Sequence, residues 1–185
     1  MCGIAGILNF GQQSPRVDRG ELQRISAHMA SRGPDGDGLW LDPAERCGLA
    51  HRRLAIIDVS DAGLQPMIDP ASGMVIVFNG EIYNFRELRI ALTMAGEQFR
   101  TGTDTEVILK LFARQGHAAW EQLRGMFAVA IWNPATATLT LARDAFGIKP
   151  LYVAEDGQAI RFASQVKALR AGGVAGSEER RVGKE

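Results

Sequence analysis

The chain has 185 residues, 46% of them hydrophobic, and its 21 acidic residues balance its 21 basic residues. This balance gives no electrostatic reason to expect nucleic acid or a membrane surface as a partner, and no apolar run is long enough to span a bilayer. Two cysteines, Cys2 and Cys47, are too few for a disulfide framework, and because no signal peptide is visible we expect a reducing, cytoplasmic setting.

The first third of the chain predicts three strands and one helix. Gly3–Asn9 is a short apolar run with β-branched residues, which is typical of a buried strand. A helical pattern of apolar residues begins at Asp18, and Arg32-Gly33-Pro34 ends it. Leu39–Leu41 and Cys47–Ala50 are the two further short strands.

The middle of the chain predicts one strand followed by two helices. The strand is Met74–Phe78, and Asn84 is a suitable N-cap for the first helix. Thr103-Asp104-Thr105-Glu106 has the form of a capping box, and the apolar stripe that follows it indicates a second amphipathic helix.

Two hairpins close the predicted domain. Met126–Trp132 pairs with Thr138–Ala142, and Leu151–Ala154 pairs with Ile160–Phe162 across the turn Asp156-Gly157. From residue 170 onward the sequence is rich in Gly, Arg and Glu and loses its periodicity, which predicts a tail or a linker. This order of elements predicts an α+β domain with largely antiparallel sheets and helices on their outer faces.

Cys2 is the first candidate catalytic residue, because it follows the initiator methionine directly. Aminopeptidase removes Met1 when the second residue is small, and the mature chain then begins with a residue that carries both a thiol and a free α-amine. The thiolate is a nucleophile, and an α-amine with an ordinary pKa of roughly 7.7–8.0 accepts a proton near neutral pH. One residue could therefore supply nucleophile and general base. The alternative is that Cys2 is simply the apolar start of a strand.

Asn79-Gly80-Glu81 is the second candidate, and we expect it in a loop at the end of the strand Met74–Phe78. The Gly80 backbone N–H and the Asn79 amide would supply two donors, which is what an oxyanion hole needs. An ordinary Asn-Gly turn is the alternative.

Charged residues could hold the two ends of an amino-acid substrate. A guanidinium beside a strand binds a carboxylate bidentately, but the local pattern does not say whether Arg52 or Arg53 points inward. His51 is left out of the site, because a histidine beside arginines is more often structural. Asp104 lies in the first turn of a helix, where the dipole favours a carboxylate and a substrate ammonium group could bind.

Together these segments resemble the class II glutamine amidotransferase domain, specifically the N-terminal glutaminase half of asparagine synthetase-like proteins. The matching segments are Met1-Cys2-Gly3-Ile4, Arg32-Gly33-Pro34-Asp35, Arg53-Leu54, Asn79–Asn84, Gly102–Glu106 and Arg143–Tyr152. The resemblance implies a four-layer αββα sandwich of two stacked antiparallel sheets, the N-terminal-nucleophile hydrolase fold. This domain would span residues 2–169, with residues 170–185 as a tail or the start of a linker.

The resemblance also implies the residue roles. Cys2 would attack the side-chain amide of L-glutamine, with its own α-amine as base and then acid, through a γ-glutamyl thioester. Asn79 and the Gly80 backbone would form the oxyanion hole. The substrate-binding residues would be Arg53 for the α-carboxylate and Asp104 for the α-ammonium, with Ile56, Ile57, Asn79, Gly80 and Glu81 lining the pocket. No metal is expected.

Family members of this type continue into an ATP-dependent synthetase domain, which is the partner implied beside L-glutamine. The chain contains no pyrophosphate loop and no Walker motif, so we expect no cofactor in this domain, and ATP and Mg only in a synthetase domain. We therefore expect a fragment, or a chain whose last residues are not native. The sequence leaves open whether the chain forms a homodimer.

Aspartate is the expected ammonia acceptor, which would make asparagine the product. Another carboxylate acceptor, or a non-catalytic domain that binds glutamine or a partner protein, are the alternatives. A DNA-repair domain that crosslinks abasic sites also begins Met-Cys-Gly, but the balanced charge disfavours it.

Overall fold

The computed structural model describes residues 1–11, 15–55, 63–174 and 180–181. The strands in this part of the chain are β1 (Gly3–Asn9), β2 (Gly36–Leu41), β3 (Cys47–Arg53), β4 (Met67–Ile68), β5 (Val75–Ile82), β6 (Gly125–Asn133), β7 (Thr138–Arg143), β8 (Tyr152–Glu155), β9 (Ala159–Ala163) and β10 (Arg180–Arg181). The α-helices are α1 (Arg19–His28), α2 (Phe85–Met94), α3 (Asp104–Gln115) and α4 (Val166–Gly172), and two 3₁₀ helices cover Ala30–Arg32 and Gly116–Gln122.

Among the described residues the strands form two antiparallel sheets. The first has the order β10-β8-β9-β1-β3-β2, and the second has the order β4-β5-β6-β7. Helices α1 and α4 pack on the outer face of the first sheet, and α2 and α3 cover the second. The predicted four-layer αββα sandwich is confirmed.

Strand β5 shows why three apolar cores form. Successive side chains of a strand point to opposite faces of the sheet. Val75 and Val77 therefore join the core between the sheets, whereas Ile76 and Phe78 pack against α2 and α3. Because both faces are buried, the strand is a continuous apolar run in the sequence rather than an alternating pattern.

Several elements extend beyond their predicted bounds. Strand β3 continues from the predicted end at Ala50 to Arg53, so His51 and Arg53 are strand residues. The predicted domain boundary at residue 169 falls inside α4, a short helix that the sequence analysis missed. Backbone pairing of Arg180 with Val153 adds β10 to the first sheet. The other residues of the predicted tail after Val174 lie outside the described part of the chain.

The prediction that Asn79-Gly80-Glu81 forms a strand-end loop is wrong. Strand β5 runs through these residues to Ile82, and Gly80 lies opposite Phe127 of β6. A Cβ atom on residue 80 would lie 2.2 Å from the Met126 carbonyl oxygen, so only glycine allows the two strands to approach this closely. Strand pairing therefore overrides the local preference of Asn-Gly for a turn.

Half of the predicted capping box forms at the start of α3. The Glu106 N–H donates to Thr103 Oγ1 at 3.2 Å. The Glu106 carboxylate instead accepts the N–H groups of Arg100 and Thr101. The helix start is therefore tied to the chain before it, and Asp104 is held in the first turn, only 4% exposed.

The link between β7 and β8 is organised around one buried carboxylate. Asp144 accepts backbone N–H groups from Phe127, Phe146, Ile148 and Lys149 at 2.9–3.1 Å. Burial raises the pKa of Asp144, but these hydrogen bonds lower it by more, so the net pKa lies below the ordinary 3.8. Asp144 and the backbone therefore brace this loop together.

Asp144→Asn should lower the free energy of unfolding by about 2 kcal/mol or more, because an amide cannot accept four N–H groups. Since the folded-state pKa is depressed, the stabilisation by Asp144 is present above pH 4 and is lost as the pH falls through that pKa. Urea unfolding of the wild type and of Asp144→Asn at pH 7 and at pH 3 measures the difference in their free energies of unfolding, which should be smaller at pH 3. Asp37→Asn, at an exposed ion pair, is the control and should cost less than roughly 1 kcal/mol. Equal losses in the two variants would contradict the role of Asp144.

Candidate active site

Cys2 lies just before β1, where the end of β3 and the 3₁₀ helix Ala30–Arg32 meet it. The Leu54 N–H donates to Cys2 Sγ at 3.3 Å, and the thiol can donate to the Leu54 carbonyl oxygen at 3.5 Å. Arg32 Nε donates to the Cys2 carbonyl oxygen at 3.0 Å. Neighbours on both sides therefore fix a half-buried thiol.

The second cysteine, Cys47, has a different environment. It is fully buried in the core between the sheets. Burial, and then the nearby Asp42 carboxylate, raise the pKa of the Cys47 thiol well above its ordinary value. A thiol that stays protonated is inert as a nucleophile. Cys2 is therefore the candidate nucleophile of the two cysteines.

A pocket opens beside Cys2 between the ends of β3, β5 and α3. Its lining residues are Cys2, His51, Arg53, Leu54, Ala55, Gly63, Gln65, Phe78, Gly80, Thr103, Asp104 and Thr105. Four predicted site residues, Cys2, Arg53, Gly80 and Asp104, are therefore brought together. Asn79 and Glu81 are neighbours of Gly80 on β5 but do not line the pocket. Predicted residues Ile56 and Ile57 lie outside the described residues.

The alternation of β3 separates the two candidate arginines. Cys47 and Leu49 face the core between the sheets, so Arg53 belongs to that face, where it is 7% exposed and lines the pocket. Arg52 points to the opposite face, where its Nε donates to Ser26 at 3.1 Å and its guanidinium pairs with Asp37. Arg53 is thus the arginine that can reach a ligand in this pocket.

Residues 32–35 support the end of β3. A Cβ atom on Gly33 would lie 2.4–2.5 Å from backbone atoms of Arg52 and Arg53, so glycine is required for this contact. The Asp35 N–H donates to the Arg53 carbonyl oxygen, and the Asp35 carboxylate accepts the Ala55 N–H. Together with the bond from Arg32 to Cys2, this segment holds Cys2 and Arg53 at fixed positions.

Asp104 is a buried carboxylate at the start of α3. The Ile82 N–H donates to its Oδ2 at 3.0 Å. Burial raises the pKa of Asp104 to about 6; its hydrogen bonds to backbone N–H groups oppose this shift, and the nearby Glu81 charge adds to it. A cation in the pocket would offset the cost of this buried charge, which makes Asp104 a suitable site for an ammonium group.

The outer edge of β5 offers a hydrogen-bond donor to the pocket. On that edge the Phe78 N–H donates to Gln65 Oε1 and the Ile82 N–H donates to Asp104, whereas the Tyr83 N–H points the other way, to Arg124 beside β6. Because N–H directions alternate along a strand, the N–H of Gly80 points to the pocket edge, between these two bonds.

Asn79 offers a second donor. Its side chain is on the face of β5 that turns toward the first sheet, and it is 2% exposed. Its Nδ2 has no hydrogen-bond partner among the described residues. A buried donor without a partner is costly, by about 1–3 kcal/mol, and is expected where a transient ligand completes the bond.

Gln65 and His51 are two of the pocket residues that were not predicted as site residues. Gln65 joins two elements, because its Oε1 accepts the Phe78 N–H and its Nε2 donates to Thr105 Oγ1. His51 is 1% exposed, and neither ring nitrogen is hydrogen-bonded within the described part of the chain. Burial lowers the pKa of His51 to about 4, with a partial opposing effect from the Phe78 backbone and a further lowering by Arg53. The signal for His51 would have been the extension of β3 to Arg53.

The described residues contain no cluster of three or more His, Cys, Asp or Glu side chains that could hold a metal ion. No helix among them is long and apolar enough to cross a membrane.

A thiol at the chain start, beside donors on two stacked antiparallel sheets, defines an N-terminal-nucleophile hydrolase architecture. Two solved structures share the fold. The glutamine phosphoribosylpyrophosphate amidotransferase of B. subtilis has a TM-score of 0.73 and 21% identity, covering 93% of this chain and 44% of that one. An allosteric regulatory enzyme of purine biosynthesis has a TM-score of 0.75 and 22% identity, covering 93% of this chain and 43% of that one.

The model of the glutamine amidotransferase domain family matches residues 1–181, and the chain belongs to this family. The chain is 43% identical to glutamine-hydrolysing asparagine synthetase 1 of Bacillus subtilis over 91% of its own length and 26% of that protein. It is 40% identical to asparagine synthetase 3 of Arabidopsis thaliana over 91% of its length and 28% of that protein. The chain thus spans little more than a quarter of these relatives.

Asp104→Asn should leave the free energy of unfolding at pH 7 unchanged or higher. The folded-state pKa of about 6 lies above the ordinary 3.8, so the folded protein holds a proton that the unfolded chain loses between these values. Stability from this group is therefore greatest below pH 4 and falls as the pH rises through 6, by about 2–3 kcal/mol in total.

Urea unfolding between pH 4 and pH 8 measures the free energy of unfolding of the wild type and of Asp104→Asn. The stability of the variant relative to the wild type should increase with pH. Asp18→Asn, a conservative exchange at the exposed N-cap of α1, is the control. A variant that is less stable than the wild type at pH 7 would show that the Asp104 charge stabilises the fold.

Proposed function

We propose that this domain hydrolyses L-glutamine to L-glutamate and ammonia through a thioester on Cys2. The observation that carries the proposal is one pocket lined by a thiol, a guanidinium and a buried carboxylate, from Cys2, Arg53 and Asp104. L-Glutamine presents the complementary groups, namely an amide carbon, an α-carboxylate and an α-ammonium. Membership of the glutamine amidotransferase domain family supports the same substrate.

Binding orients the substrate. Arg53 takes the α-carboxylate through two parallel N–H bonds, and Asp104 takes the α-ammonium. Two opposite charges at fixed points define where the α-carbon lies and which way the side chain extends. The amide carbon is thereby held against Cys2 Sγ, and such positioning replaces a bimolecular encounter with an intramolecular step.

The chemistry begins after removal of Met1 has freed the α-amine of Cys2. The amine takes the thiol proton, and Sγ forms a bond to the amide carbon. The carbonyl oxygen becomes an oxyanion that the Gly80 N–H and Asn79 Nδ2 stabilise. The protonated amine then gives its proton to the leaving nitrogen, and ammonia departs from a γ-glutamyl thioester. Water, deprotonated by the same amine, cleaves the thioester to glutamate and the free thiol.

The ammonia would be consumed by an ATP-dependent synthetase domain. Relatives of which this chain matches only 26–28% are named glutamine-hydrolysing asparagine synthetases, which supports aspartate as acceptor and asparagine as product. Glutamine hydrolysis as written needs no cofactor, so ATP and Mg belong to the synthetase reaction. We also expect the protein to work in the cytoplasm.

Cys2→Ala should abolish the release of glutamate from glutamine, because it removes the nucleophile. A coupled glutamate assay of the 185-residue chain measures this rate, after mass spectrometry has verified removal of Met1. Cys47→Ala is the matched control and should retain the rate. Glutamate release that survives Cys2→Ala would refute the mechanism, and tight glutamine binding without turnover in the wild type would support a binding domain instead.

Arg53→Ala should raise the KM for glutamine by roughly 10–100-fold, as expected for loss of a hydrogen bond between charged groups. The effect on kcat should be smaller, because the carboxylate contact is the same in the ground and transition states. Steady-state kinetics of Arg53→Ala and of its neighbour Arg52→Ala separate the two faces of β3. An increase in KM confined to Arg52→Ala would assign the carboxylate to the other arginine.

A further inference from the structure

Lys149 is a buried cation next to the chain start. Lys149 is 6% exposed, and its Nζ donates to Met1 Sδ at 3.4 Å. Among the described residues the ammonium has no other hydrogen bond and no ion pair. A thioether is a weak acceptor, so this contact compensates poorly for the loss of water around a charged group.

The position of Lys149 is fixed by the loop that carries it. Asp144 accepts the N–H groups of both Ile148 and Lys149. Leu151, two residues further on, is anchored in the core between the sheets. The backbone on both sides of Lys149 is therefore fixed by the fold, and its side chain is directed at the N-terminal residue.

Removal of Met1, on which the proposed function rests, takes away the acceptor of this ammonium. The side chain and carbonyl of Met1 join its Sδ to the Cys2 nitrogen, so the new α-amine forms within about 10 Å of Lys149 Nζ. At such a distance one unit charge still changes the free energy of a second charge by roughly 1–2 kcal/mol when the effective dielectric constant is about 20.

Three cationic side chains lie around Cys2. Arg32 binds the Cys2 carbonyl oxygen, with Tyr152 beside it, and Lys149 approaches from the loop. Arg53, the neutral His51 and Asp104 line the pocket next to Cys2, and Glu81 lies near Asp104 on β5. Among the described residues neither of these carboxylates forms an ion pair with Lys149.

We propose that Lys149 is a positioning residue that keeps the α-amine of the mature Cys2 unprotonated and ready to act as base. The lysine charge disfavours a second positive charge nearby, which favours the neutral form of the amine and leaves its lone pair free for the thiol proton. The amine then takes the thiol proton at neutral pH and does not first have to lose one to water.

The pH dependence of glutamine hydrolysis tests this role. In Lys149→Met, which keeps the length of the side chain without its charge, the acidic limb of kcat/KM should move to higher pH by about one unit, as expected for loss of one nearby charge. The lost activity should return at alkaline pH. Lys149→Arg should keep the limb of the wild type, and Lys167→Met, at an exposed position on α4, is the matched control.

A second measurement does not need turnover. In a Cys2→Ala background, the α-amine still forms when Met1 is removed, and its rate of acylation by acetic anhydride can be followed by mass spectrometry as a function of pH. Adding Lys149→Met should shift this profile to higher pH by the same amount. The shift would support Lys149 even if the chain does not hydrolyse glutamine.

An unchanged acidic limb together with an unchanged acylation profile would overturn the role of Lys149 while leaving glutamine hydrolysis intact. A uniform loss of activity at every pH in Lys149→Met, without a shift in either profile, would also overturn it in favour of a purely structural role. Retention of Met1 in the active wild-type chain would refute both the proposal and the mechanism on which it rests.

Discussion

The outer edge of β5 is the constraint on which the site depends. Strand β6 pairs with one edge of β5, and β4 covers only the start of the other edge, so the N–H groups of Phe78, Gly80 and Ile82 turn toward the pocket. Gln65 takes the first of them and Asp104 takes the third, which leaves the N–H of Gly80 between two occupied positions. The same pairing requires glycine at residue 80. One hydrogen-bond ladder therefore positions both the Gly80 N–H, the proposed oxyanion donor, and the Asp104 carboxylate, the proposed partner of the substrate ammonium.

The polar groups that this ladder and β3 bring together are poor stabilisers of the fold. The amide of Asn79 and the ring of His51 are buried without partners among the described residues, and Asp104 carries a charge that burial opposes. Each of these features lowers the free energy of unfolding. In the proposed mechanism, the oxyanion is the partner of Asn79 and the substrate ammonium is the partner of Asp104. The apolar cores on the two faces of each sheet supply the stability that offsets them.

Local sequence patterns predicted most strands and helices because their signal is apolar periodicity, which the packing of this fold preserves. They failed where tertiary contacts decide. Asn79-Gly80 has the composition of a turn, yet pairing with β6 keeps it in a strand. The inward direction of Arg53 depends on the length of β3, which ends at Arg53 and not at the predicted Ala50. The resemblance to a family supplied the choice of Arg53, and the geometry gives its physical reason. The pocket contribution of Ile56 and Ile57 remains a prediction.

The family motifs of this chain act mostly as supports. Arg32 and Asp35 bind backbone atoms around Cys2 and Arg53, and Gly33 lets the two segments touch. Asp144 arranges the loop that carries Lys149 to the chain start. In the proposed mechanism these residues need not touch glutamine for the reaction to depend on them, because a nucleophile that is also its own base tolerates little displacement of either function. The proposed role of Cys2 therefore accounts for motifs that extend over several backbone segments, since each segment fixes part of the surroundings of this one residue.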